Sequence, residues 1–350
     1  MKEKDKKALM LAAVGAGALL AARTAFKRRQ NYDLRGKTVL ITGGSRGLGL
    51  VMAREFAREG ANVAVCARDR AELERAQAEL AASGARAFAI PCDVTDRTQV
   101  KELIEVVTGH FGRIDVLVNN AGVIQVGPVE VMTLEDYEQA MAIHFWGPLY
   151  TMLAVLPQMR ERGEGRVVNI SSVGGKIGVP HLVPYSASKF ALAGLSEGMR
   201  AELAKDGVVV TTVCPGLMRT GSPRNATFKG QHRAEYAWFA ISDALPVTSI
   251  KAERAARQIV AACRRGEAEL IITTQAVAAI RFHQLFPEAS ADLRALVNRF
   301  LPAPGGIGRK RAKGKDSESA LAPSILTALN DRAAVRNNEM TELAPGTKAR

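Results

Sequence analysis

Residues Lys37–Asp69 read KTVLITGGSRGLGLVMAREFAREGANVAVCARD, and this stretch decides the fold. Thr38–Thr42 is a β-branched, apolar run of the kind carried by a parallel strand buried on both faces. Gly43, Gly44, Gly47 and Gly49 follow at once, before the helically spaced Leu50, Ala53, Phe56 and Ala57. A second strand-like run ends at Ala67. Glycines let a backbone approach a pyrophosphate closely, and the amides that open a helix attract anions. The spacing here is G-x-x-x-G-x-G, not the commoner G-x-G-x-x-G dinucleotide fingerprint. Taken alone, the same glycines would also serve a close turn with no ligand.

Working outward, strand-like runs at 38–42, 62–67, 86–91, 114–118, 166–171, 208–213 and 269–273 alternate with helical stretches. That alternation predicts an α/β fold around a parallel sheet. Two further segments carry chemistry. In PYSASKFALAGL, Tyr185 and Lys189 lie four residues apart, on one face of a helix. An ammonium beside a phenol favours the phenolate and is expected to pull its pKa below the reference of about 10. In NISSVGG, thirteen residues before the tyrosine, the Ser172 hydroxyl could hydrogen-bond an oxygen on which negative charge develops. A YxxxK pair alone reads more readily as a solvated helix face, and the glycine loop supplies the context that decides otherwise.

Together these segments resemble the classical short-chain dehydrogenase/reductase family. The resemblance rests on TGGSRGLG at Thr42–Gly49, CDV at Cys92–Val94, NNAG at Asn119–Gly122, Ser172, Tyr185, Lys189, Pro215–Gly216 and Thr220, across residues 36–275. It implies a Rossmann-like, doubly wound, seven-stranded parallel sheet in a single catalytic domain. It also implies that Tyr185 is the general acid/base and that Lys189 lowers its pKa while binding the nicotinamide ribose. Ser172 would orient the substrate carbonyl, with Ser171 as its rival. The cofactor cleft would take Gly43, Ser45, Arg46, Gly47, Leu48 and Gly49 from the loop, and Asp93 and Val94 at the adenine. Asn120, Ala121 and Gly122 would line it, with Pro215, Gly216 and Thr220 towards the nicotinamide and Asn119 in a structural role. Where family members commonly carry an asparagine that holds a relay water, this chain has His144. A neutral imidazole could hold the same water, or simply satisfy a buried backbone group.

Cofactor choice turns on two arginines. Ala67 stands where relatives that prefer NAD present an acid, while Arg68 follows it and Arg46 lies in the loop. Guanidinium forks suit a 2′-phosphate, so NADP(H) is expected, with NAD as the alternative should Asp69 turn inward.

The rest of the chain sets limits. Its 350 residues are 47% hydrophobic, with room for a substantial core beyond one such domain. Cys66, Cys92, Cys214 and Cys263 are scattered and the five histidines are unclustered, so neither a disulfide framework nor a metal site is expected. Residues 1–35 join Lys2, Lys4, Lys6 and Lys7 to an uncharged run, Ala8–Ala22, closed by Arg23, Lys27, Arg28 and Arg29. A membrane anchor with the catalytic domain facing the cytoplasm is expected. An export signal, or a surface-lying helix on a cytoplasmic protein, is the competing reading. The net charge of +13 concentrates there and in RKRAKGK at 309–315, beside few aromatics. Lipid headgroups, not nucleic acid, are the expected partner, or the second cluster merely solvates. Residues 221–249, with Phe228, Tyr236, Trp238 and Phe239, fall at the family's mobile substrate loop and suggest a hydrophobic carbonyl or alcohol. The aromatics could instead cap the core or form a homo-oligomer contact. Two amphipathic helices, 275–286 and 289–300, extend the domain over 276–301. Residues 302–350 are expected to be mostly disordered, with a short helix near 321–329.

The resulting expectation is an NADP(H)-dependent oxidoreductase interconverting a carbonyl and an alcohol. The alternative is a non-catalytic nucleotide-binding scaffold on the same fold.

Overall fold

A computed structural model describes residues 31–340, together with Gly17. The expected membrane anchor and the last ten residues lie outside the described residues. The seven sheet strands are β1 (Thr38–Thr42), β2 (Asn62–Ala67), β3 (Ala87–Pro91), β4 (Val116–Asn119), β5 (Gly165–Ile170), β6 (Val208–Pro215) and β7 (Glu269–Ile272). All are parallel, in the order β3-β2-β1-β4-β5-β6-β7. The seven sequence runs match these strands to within two residues. Strand order reverses between β1 and β4, and at such a switch point the carboxyl ends of the strands leave a crevice for a ligand.

Strand alternation explains how one sheet holds two cores. Val39 and Ile41 of β1 point to one face, where α1 (Gly47–Arg58) brings Leu50, Met52 and Phe56 against Ile259 and Val260 of a late helix, Ala252–Arg265. Leu40, between them, points to the other face. There Leu103 and Ile104 of the helix Arg97–Phe111 meet Met152, Leu156 and Met159 of the helix Gly147–Arg162. Each fully buried aliphatic side chain of this kind contributes about 1.5–3 kcal/mol of transfer free energy.

A long helical rod, Leu134–Arg162, crosses behind the cleft. Among the described residues it alone is long and apolar enough to cross a membrane, but half of its most apolar stretch is buried in the fold. Its middle, Ala142–Trp146, is a π-helical turn, a feature that re-aims side chains at functional sites. Here it carries His144.

The C-terminal region departs from expectation. Two helices, Thr274–Leu285 and Pro287–Asn298, lie where the periodicity placed them. Residues 302–340, however, are folded onto the domain rather than disordered. Ala312–Lys313 pairs antiparallel with Thr227–Phe228, which pairs parallel with Gln125–Val126. Arg311 reaches the buried carboxylate of Asp136 at 2.8 Å, and Lys229 bonds the same carboxylate from inside. Arg224 pairs with Glu318 at 2.8 Å. A helix at Ala328–Arg336, later than the one expected, then leads to the cofactor cleft. Ion pairs and backbone contacts of long sequence separation hold this segment, so apolar periodicity carries no trace of them. Within the 309–315 cluster, Arg311 is structural and not merely solvating.

The aromatics of 221–249 also settle inward. The segment forms the helix His232–Ala244, and Phe228, Tyr236 and Phe239 are buried with ring centroids 5.4 and 6.0 Å from Phe228. They pack with Val126, Leu182 and Ala322 into a satellite core and do not line the cleft. The reading in which they cap the core describes their position.

Candidate active site

The cleft over the carboxyl ends of β1, β4 and β5 has a volume of about 440 Å³. Its floor is the glycine loop. Gly43 sits at φ +64°, in the left-handed region that favours glycine. A Cβ on Gly49 would lie 2.0 Å from the Gly43 carbonyl oxygen, so only glycine closes this turn. Asn120 locks the loop from β4, with Nδ2 donating to the carbonyls of Thr42 and Gly43, both at 3.0 Å. The amides of Asn120 and Ala121 donate to Thr42 Oγ1 at 3.0 and 3.1 Å. Asn119 does the structural work expected of it, donating to Asn169 Oδ1 on the neighbouring strand at 2.8 Å.

Tyr185 and Lys189 occupy the first turns of the helix Val183–Leu203, opened by Pro184. Lys189 is 4% exposed, donates to the Ile170 carbonyl at 2.8 Å, and lies 5.7 Å from the Tyr185 ring centroid. Burial pulls its pKa down to about 7. Burial pushes the Tyr185 phenol above its usual range, against a hydrogen bond from Ser172 that lowers it. The expected depression of the phenol by Lys189 is therefore reversed. Desolvation of the phenol outweighs the hydrogen bond, and the same burial disfavours the lysine's ammonium form. The two serines separate cleanly. Ser171 spends its hydroxyl on the Lys189 carbonyl at 2.9 Å, whereas Ser172 faces the cleft and accepts from the Gly174 amide at 3.0 Å.

His144 is fully buried, edge-on to Tyr185 at 5.4 Å between ring centroids. Its Nε2 accepts from the Val123 amide at 3.1 Å, so in the neutral ring Nδ1 carries the proton. Nδ1 lies 2.7 Å from Ser188 Oγ, which donates on to the Tyr185 carbonyl at 2.8 Å. Burial, with Lys189 nearby, holds its pKa well below the usual imidazole range. Both nitrogens are engaged in tying the NNAG loop to the tyrosine helix. Of the two roles foreseen, satisfying a buried backbone group describes the bond to the Val123 amide.

At the adenosine end, Asp69 lines the cleft, accepts the Glu72 amide at 2.9 Å and caps the helix Arg70–Ala82. Asp93 accepts from the Thr95 amide and hydroxyl at 3.0 and 2.8 Å. Arg68 is largely exposed at the rim. Arg46 is held by Glu72 at 2.5 Å and by Glu339 at 3.3 Å.

The expected catalytic and cofactor-binding residues all line this one cleft: Ser172, Tyr185, Lys189 and His144, Gly43 and Ser45 to Gly49 of the loop, Arg68, Asp93, Val94, Asn120, Ala121, Gly122, Pro215, Gly216 and Thr220. Sequence reasoning missed Glu72 and Glu339, and the apolar trio Ile124, Ile143 and Met218. Helical spacing from the Asp69 cap could have found Glu72. No local signal marks Glu339.

Glycine loop, switch-point crevice and a tyrosine beside a buried lysine define a nucleotide-dependent oxidoreductase class. The chain belongs to the short chain dehydrogenase family, whose pattern matches residues 37–229. It is 38% identical over 192 residues to an uncharacterised oxidoreductase, YxjF, of Bacillus subtilis, covering 55% of this chain and 75% of that one. It is 40% identical over 185 residues to the ketoacyl reductase HetN of Nostoc, covering 53% and 64% respectively. Among solved structures, a short-chain dehydrogenase from Streptomyces avermitilis superposes with a TM-score of 0.63 at 34% identity, over 75% of this chain and 99% of that one. An actinorhodin polyketide ketoreductase variant solved with NADPH superposes at 0.61 and 32% identity, over 67% and 95%.

Proposed function

We propose that this protein is an NADP(H)-dependent reductase that interconverts a carbonyl and an alcohol on a hydrophobic substrate. The observation that carries the reading is the convergence of Ser172, Tyr185 and Lys189 on the cleft floored by the glycine loop. The Gly43–Gly49 turn closes too tightly for a side chain and leads into the helix amides that open α1, a setting that fits a dinucleotide diphosphate. A nicotinamide bound there supplies or accepts the hydride. The chain's own residues handle the oxygen. Ser172 holds the carbonyl by its hydroxyl, and Tyr185 delivers or removes the proton at that oxygen. Lys189, with its pKa drawn to about 7, can exchange a proton near neutral pH. NADP(H) is favoured by Arg46 and Arg68 at the adenosine end and by the engagement of Asp69 as a helix cap. Ile124, Ile143 and Met218 give the other end an apolar wall. Attachment to a membrane through residues 1–35 belongs to the same proposal, and vesicle flotation of the full chain against one lacking residues 1–30 tests it.

The central test is turnover of NADPH and NADH with aliphatic, steroid, retinoid and acyl-linked ketones, for the unmodified chain and Tyr185→Phe. Turnover that Tyr185→Phe abolishes while still binding NADPH supports the mechanism. Undiminished turnover in that variant overturns it.

A further inference from the structure

At Asn337–Glu339 the described C-terminal segment enters the cofactor cleft, and its contacts there are those of a ligand. The Gly47 amide, in the loop that recruits phosphate, donates to the Asn337 carbonyl at 2.8 Å. Asn338 Nδ2 donates to the carbonyls of Ser45 and Glu72 at 2.8 and 3.0 Å. The next residue, Glu339, lays its carboxylate over the loop. A Cβ built on Gly47 would lie 2.5 Å from Glu339 Oε1. The other oxygen, Oε2, takes a hydrogen bond from Asn225 and stands 3.3 Å from Arg46 Nε. An anion thus covers an anion-binding turn and shares the guanidinium proposed above for the 2′-phosphate.

We propose that Glu339 is an internal occupant of the phosphate cradle, and that a dinucleotide binds by displacing residues 337–339 from the glycine loop. The proposal rests on the reading of this cleft as a nicotinamide-dinucleotide site.

Glu339 is suited to leave. Its side chain is 4% exposed, yet the cation it pairs with, Arg46, lies closer to Glu72 than to it. A carboxylate buried with a shared counter-charge regains solvation on release. Burial correspondingly pushes its pKa up to about 7. A diphosphate carries more charge, and the amides that open α1 suit it better than they suit a single carboxylate. The segment behind Glu339 is anchored separately. The Gly221 amide donates to Asn330 Oδ1 at 2.9 Å, and Arg54 donates to the Arg336 carbonyl at 2.7 Å. Residues 337–339 can therefore peel away from an attached helix.

The test measures NADPH and NADH dissociation constants by nicotinamide fluorescence. It uses the full chain, Glu339→Gln, and a chain ending at Asn338 that retains the whole anchoring helix. Thermal melts establish that each is folded. Glutamine keeps the shape and removes the charge, so whichever dinucleotide the protein takes should bind about tenfold tighter to both variants, within the usual range of site–site coupling. Binding seen only in the variants supports the proposal further. Equal or weaker binding in the variants overturns it and leaves the cofactor reading standing, because the unmodified chain still binds. If neither dinucleotide binds any of the three proteins, the cofactor reading fails and this proposal fails with it.

Discussion

Replacing Lys189 by methionine should make the protein more stable while destroying turnover. In the folded chain burial takes the lysine from its ordinary value of 10.5 to about 7. A drop of that size corresponds, at about 1.4 kcal/mol per pH unit, to roughly 4–5 kcal/mol of folding free energy lost to burying the ammonium. Against this stands the hydrogen bond to the Ile170 carbonyl at 2.8 Å, worth about 1.5–3 kcal/mol for a charged donor. Methionine has similar length, fills the channel and removes the desolvation cost. The net expectation is a gain of about 2 kcal/mol, or a few degrees in melting temperature. The sign with pH is fixed. Below pH 7 both folded and unfolded chains carry the proton and the penalty is full. Between 7 and 10.5 the unfolded chain binds more protons than the folded one, so the unmodified protein gains stability as pH rises and the gap to the variant closes. Paired melts at pH 6.5, 8 and 9.5 test this, with common titrations cancelling in the difference. A variant that melts lower than the parent at pH 6.5, or a gap that does not shrink with pH, would refute the assignment of Lys189 as a buried, strained cation.

Two further substitutions probe the supports of the site. His144→Asn shortens the side chain that bridges the Val123 amide and Ser188. It should cost about 1–3 kcal/mol for one partner left unsatisfied, while keeping or raising turnover, because asparagine leaves room for a water beside the tyrosine helix. Complete loss of activity in a folded variant counts against that tolerance, and melting paired with steady-state kinetics reads both. Asp136→Asn removes the carboxylate that Lys229 and Arg311 share. Breaking a buried pair from one side should cost about 3–5 kcal/mol and loosen residues 305–316, read as faster hydrogen exchange there. Undisturbed exchange would mean that the C-terminal segment is held by other contacts.

The readable and unreadable parts of this protein divide by the range of the forces involved. The strands of the sheet announced themselves because a strand buried on both faces must be apolar along its length, as in Val39–Ile41 and Val116–Val118. Tyr185, Lys189 and Ser172 were legible for a similar reason, since helix periodicity and one strand-to-helix spacing place them. The direction of the tyrosine's pKa shift was not legible. It depends on burial of the phenol and on how far Lys189 lies from it, which no spacing encodes. Nor did charge content reveal that Arg46 would be occupied, because Glu72 and Glu339 approach it from 26 and 293 residues away.

The same division bears on substrate choice. Aromatic content in 221–249 suggested a bulky, mobile wall, but Phe228 is fixed by strand pairing to Ala312 on one side and Val126 on the other. Tyr236 and Phe239 close over it as a second core. A segment held between two strands cannot move without breaking hydrogen bonds and ion pairs contributed by residues 311–318. The apolar side chains that line the cleft instead include Ile124, Ile143 and Met218, from three elements of the first 220 residues. Selectivity should therefore respond to those three positions directly. It should respond to the C-terminal region only through the rigidity that this region imposes on the helix His232–Ala244. In this chain the C-terminal extension stiffens the substrate side of the cleft and supplies a carboxylate to the cofactor side.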